Sequence, residues 1–79
     1  MDLETAKRIY PAMWVIYEYP RDYPDKFVVR TWYGEFPTNE MSTHNTLNEA
    51  RFLIMADLGG CSPLARSPND DPCIVEVWL

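Results

Sequence analysis

Basic charge is scarce in this 79-residue chain: seven Lys and Arg stand against twelve Asp and Glu, for a formal net charge of −5. Affinity for DNA rests on Lys and Arg meeting phosphates. The seven bases here (Lys7, Arg8, Arg21, Lys26, Arg30, Arg51 and Arg66) are dispersed, so direct nucleic-acid binding is not expected. Cysteine and histidine are scarce too. Cys61 and Cys73 form no CxxC pair, and with His44 as the one histidine a four-ligand zinc site cannot be built without carboxylates. No GxSxG, HExxH, P-loop or GxGxxG spacing occurs. No cofactor, metal or enzymatic activity is therefore expected. No run approaches the ~18 apolar residues of a membrane helix. The opening MDLETAKRIYP has acids and no apolar stretch, so a secretory signal is not expected either. A reducing cytoplasm is the expected compartment. There the two cysteines are read as thiols rather than a disulfide, Cys73 as a small buried hydrophobe and Cys61 in a loop.

What the chain does have is aromatic and β-branched sequence. Aromatics make up 14% of a length that holds one domain, residues 1–79. So short a chain buries only roughly 60–65% of its unfolded surface, and large side chains raise the burial per residue. Three segments, residues 13–19, 27–33 and 73–79, are rich in Val, Ile and aromatics and read as strands. One alternating stripe holds Val15, Tyr17, Phe27, Val29, Cys73, Val75, Val77 and Leu79. The other holds Trp14, Ile16, Glu18, Val28, Arg30, Trp32, Ile74, Glu76 and Trp78, with all three tryptophans of the chain. A half-solvated sheet should show polar residues on its second face. Tryptophans there imply that something covers it: the N-terminal helix, a second copy or a partner.

Helix signals flank these strands. Asp2 is a candidate N-cap for a short helix with Leu3, Ala6, Ile9 and Tyr10 on one side, ended by Pro11. Thr46-x-x-Glu49 matches a capping box, and a helix follows to about Asp57, with Gly59-Gly60 as its left-handed stop. Pro20, Pro24, Asp22 and Asp25 make a rigid connection between the first two strands. Residues 35–43 read as irregular, and residues 61–72, with three prolines and Asn69-Asp70-Asp71, as a loop. The expected fold is an α+β domain. Its three-stranded antiparallel sheet has order 2-1-3, with the main helix on the valine stripe. Residues 1–11 form a short N-terminal helical appendage to a core of residues 13–79. The crossover between the second and third strands is expected to be right-handed.

Candidate chemistry is thin. Glu18 and Glu76 could serve as an acid/base pair held by Arg30. A cross-strand ion pair between tryptophans accounts for the same residues without catalysis. His44 before the capped helix reads as a loop or cap residue, and Ser42 and Thr43 have no recognisable base. The cluster at Asp70 and Asp71 lacks the spacing of a calcium loop and reads as a solvated turn that a basic partner surface could meet. The binding residues expected are Trp14, Arg30, Trp32, Glu76 and Trp78, with Asp70 and Asp71. Trp and Arg concentrate energy at interface centres.

Three stretches of the chain resemble a group of small uncharacterised proteins encoded by bacteria and their phages. They are VIYEYP leading to PDKFVVR, then TLNEAR, then DDPCIVEVW, within residues 13–79. The resemblance implies a bacterial host cytoplasm and carries no activity onto any residue. Small acidic phage proteins of this size include anti-CRISPR inhibitors, which occupy a surface of a host defence complex. The expected function is a non-enzymatic protein–protein interaction module, an inhibitor of that kind included. The alternatives are a self-associating homodimeric domain and a small enzyme using Glu18 and Glu76.

Overall fold

The structure is a computed structural model, and it describes residues 1–60, 62–65 and 72–79. It is α+β, as the patterning implies, but its antiparallel sheet has five strands rather than three. Helix α1 (Leu3–Ile9) precedes β1 (Ala12–Glu18) and β2 (Phe27–Tyr33). Strand β3 (Phe36–His44) leads to helix α2 (Leu47–Leu53), which widens into a π-helical turn at Ile54–Leu58. Strands β4 (Pro63–Ala65) and β5 (Ile74–Trp78) complete the sheet. Its order is β3-β2-β1-β5-β4, so the expected three strands are its centre and both edges are additions.

Both additions have physical causes. Tyr33 pairs with Phe36, which leaves Gly34-Glu35 as a two-residue hairpin turn. Gly34 has φ +61, the left-handed conformation that such tight turns demand of their first residue. The segment expected to be irregular is therefore an edge strand. In the presumed loop, Pro63–Ala65 pairs with β5, where Ser62 and Leu79 exchange backbone hydrogen bonds of 3.4 and 3.2 Å.

The main helix forms as its caps dictate. Thr46 Oγ1 accepts from Glu49 N at 3.1 Å, and Glu49 Oε2 accepts from Asn45 N at 3.1 Å. The reciprocal bond thus reaches one residue further back than the standard box. Gly59, at φ 79, ends the helix. Asp2 caps α1, accepting from Thr5 N at 2.9 Å. Helix α1 meets β2 and β3, with Lys7 Nζ 5.9 Å from the centre of the Tyr33 ring.

Which face α2 covers is a correction. β1 and β2 pair even-numbered with odd-numbered residues: Trp14 opposite Thr31, Ile16 opposite Val29, Glu18 opposite Phe27. The side chains on α2's side are thus Trp14, Ile16, Phe27, Val29, Glu76 and Trp78, so the face mixes the two stripes: Phe27 and Val29 come from the valine stripe and the others from the tryptophan stripe. The core cluster is Ile16, Val29, Ala50, Ile54 and Trp78. The register follows from the connection between β1 and β2. Tyr19 turns out of β1 at φ 50, rare for an aromatic residue, and its N–H closes on Lys26 O at 3.0 Å.

Candidate protein-docking surface

The expected binding residues do not form one surface. Trp78 is buried in the core, and Trp14 packs against that core while lying close to where a Cβ on Gly60 would sit. Helix α2 therefore hides two of the three indoles, a role the sequence reading offered to α1. Glu76 is on the same side. Arg51 of α2, not Arg30, holds it: Arg51 Nε to Oε1 is 3.0 Å and Nη2 to Oε2 is 2.5 Å. Trp78 Nε1 donates to Glu76 Oε1 at 3.1 Å. The Arg51 hydrogen bonds hold the Glu76 carboxyl below its ordinary range. Burial opposes that effect, and the Trp78 N–H adds to it. Glu18 is exposed at the end of β1, while Glu76 is tied up in this bidentate pair.

Arg30 and Trp32 lie on the opposite face. Arg30 Nε donates to Thr38 O at 2.7 Å. Thr38 is buried, donates to Thr31 O at 2.7 Å and accepts from Glu40 N at 3.0 Å. Here the β2–β3 register shifts, so Arg30 satisfies a carbonyl that the irregularity frees from the ladder. Trp32 Nε1 donates to Tyr17 OH at 3.2 Å. Trp32 pairs with Met13, four positions from Tyr17, so the two rings lean toward each other past Val15. Val15 and Val28 on this face are only 3% exposed. Val15 also joins Met13, Trp32, Ile74 and Val77 in lining an open groove of about 290 Å³ on this second face. The β1–β2 connection adds Pro20, Asp22 and Tyr23 around a small cavity of about 90 Å³ beside Arg30. Asp70, Asp71 and Cys61 fall outside the described residues, and with them the acidic-loop site and the disulfide question.

Another apolar groove is bounded by β3, an edge strand that its own residues do not announce. Val29 and Thr31 of β2 floor a groove of about 280 Å³. Glu40, Met41 and Ser42 of β3 form one wall, and Leu53 and Leu58 from α2 and its π-helical turn form the other. At its rim Leu58 is 38% exposed, and farther along the same helical segment Phe52 is 66% and Met55 52% exposed, whereas Met41 pairs with Arg30 and so stands on the opposite face. Ser42 Oγ and His44 Nε2 share a hydrogen bond of 2.8 Å along this edge. The structure thus supplies the partner for Ser42 that sequence spacing did not suggest. The signal for β3 was present in Gly34-Glu35, flanked by aromatic residues, but the strand itself is too polar to show an apolar alternation.

Among the described residues, no helix is long and apolar enough to cross a membrane, and no group of three or more His, Cys, Asp or Glu could hold a metal ion. Comparison with known proteins finds no matching family model, no matching curated protein and no matching solved structure.

Proposed function

We propose that this chain is a non-enzymatic protein-interaction module that binds through the groove between β3 and α2. The observation that carries this reading is the apolar groove lined by Val29, Leu53 and Leu58, with Leu58 exposed at its rim and Phe52 and Met55 exposed farther along the same helical segment. Clustered large apolar side chains in solvent mark interaction surfaces more often than isolated ones do. An inhibitor of a larger bacterial complex is one such module.

The test is cross-linked affinity capture from a bacterial host with wild type and a Leu58→Glu variant. Leu58 is exposed, so the fold should survive, as circular dichroism would verify. The variant should release a partner that wild type retains. Retention of every partner would remove the groove from the binding site. A wild-type dimer that the variant converts to a monomer would replace this reading with self-association.

A further inference from the structure

We infer that the edge of β3 and the groove behind it together receive an extended segment of the partner that carries an apolar residue two positions from a Lys or Arg. The inference rests on the protein-interaction reading and names the chemistry of its partner.

β3 is the outermost strand of the sheet, so one row of its backbone groups faces away from β2. Such an edge pairs with an incoming strand unless proline, charge or a bulge blunts it. Here the guards sit in the first half. Pro37 removes a donor, and the irregularity around Thr38 disturbs the ladder. Beyond Glu40, the stretch Met41-Ser42-Thr43-His44 pairs in regular register with β2 and contains no proline, Lys or Arg. Addition of a strand to an open edge is a recurring mode of peptide recognition, in which backbone bonds give affinity and pockets for alternate side chains give specificity.

The groove supplies such a pocket on one side of that edge. Its volume of about 280 Å³ is room enough for one large side chain. Its lining is apolar at the floor and on the α2 wall, through Val29, Leu53 and Leu58. Ser42 pairs with Val29, so it stands on the groove side of β3. Glu40, two residues before it, lines the same groove. Two residues of an added strand span ~6.6 Å, the same step as from Ser42 to Glu40. An apolar side chain beside Ser42 therefore places its second neighbour at the Glu40 carboxylate.

Charge decides the sign of that neighbour. Among the described residues the ion pairs are Lys7–Glu4 and Arg51–Glu76, which leaves Glu40 without a cation. The chain as a whole carries a net −5, of the same sign. A basic side chain is favoured there and an acidic one repelled.

The probe is a labelled peptide, acetyl-Ser-Thr-Leu-Thr-Lys-Thr-Ser-amide, compared with its Lys-to-Glu and Leu-to-Ser analogues. Binding is followed by amide NMR shifts and by hydrogen exchange. The Leu/Lys peptide should shift and protect amides within residues 41–44 and bind about fivefold more tightly than either analogue. Glu40→Lys should reverse the preference between the Lys and Glu peptides. Leu58→Ser should weaken the Leu peptide and leave the Ser analogue unchanged. Equal or absent binding of all three peptides would overturn the inference, as would shifts confined to residues outside the groove. If the free protein is a dimer whose β3 amides are already protected, the occupant is a second copy and the inference fails. Should the peptides fail while Leu58→Glu still releases a captured partner, only the partner chemistry is wrong and the docking surface stands.

Discussion

Arg51 and Glu76 join the helix to the sheet through a two-pronged ion pair, at 3.0 and 2.5 Å, between residues 25 positions apart in the chain. The Glu76 side chain is 16% exposed and that of Arg51 38%. The pair also fixes Trp78, whose indole N–H shares Oε1 with Arg51.

This pair sets a pH dependence. The folded Glu76 carboxyl titrates below its ordinary value of 4.5, so its contribution is fully present above that value. It is lost as pH falls through the lowered folded value. Asp2, lowered by its hydrogen bonds to Thr5, contributes in the same direction. Glu76→Gln should cost about 1 kcal/mol at pH 7, discounted for the exposure of Arg51. The urea midpoints of wild type and variant should converge as pH is lowered from 7 to 3. A gap that stays constant with pH would show that the charge of Glu76 does not stabilise the fold.

Gly59 and Gly60 should respond differently to alanine. Gly59 is left-handed, but a Cβ there meets nothing within 4 Å, so Gly59→Ala should cost only about 1–2 kcal/mol of backbone strain. Gly60 is not left-handed, yet its Cβ would lie 2.3 Å from Ile54 Cγ2 and 3.3 Å from the Trp14 ring. Gly60→Ala should cost more, about 3 kcal/mol, through overpacking. Its cost should shrink when Ile54→Ala is present, because the two positions share one space. Thermal midpoints of the four variants check the order.

Trp78 lies in the core cluster and on the strand between β1 and β4. Trp78→Ala should cost about 3–5 kcal/mol, much of the stability of a domain this size. Removing residues 77–79 should abolish cooperative unfolding, as followed by far-ultraviolet circular dichroism. A truncated chain with an unchanged melting curve would contradict the place of β5 in the sheet.

Removing residues 1–11 should leave a cooperative domain with a lower midpoint. No residue of that segment belongs to the core cluster, but Ala6 is fully buried and Tyr10 lies over Gly34, so a docked surface is lost. Non-cooperative melting of the truncated chain would make α1 integral to the fold.

Much of the local structure was legible in the residues. Asp2, Thr46 and Glu49 announce helix starts because their side chains reach free backbone N–H groups one turn on, whatever surrounds them. Gly59 announces a stop for an equally local reason. The β-branched and aromatic runs of β1, β2 and β5 likewise declare strands, and their sequential hairpin places the central three in order.

Tertiary structure alone decided which stripes share a face. Alternation has period two within a strand, but its phase between strands depends on register, and a shift of one residue exchanges the faces. The β1–β2 connection, turned by Tyr19 and closed on Lys26, sets that phase. It separates Arg30 and Trp32 from Glu76 and Trp78, and it leaves Arg51, from a helix distant in sequence, to pair the half-buried Glu76 carboxylate. β3 escaped the pattern for a related reason: an edge strand pairs on one side only, so much of it can stay polar. Its backbone pairing, not its side-chain periodicity, makes it a strand, and only the folded sheet brings it beside Leu53 and Leu58 to form the groove.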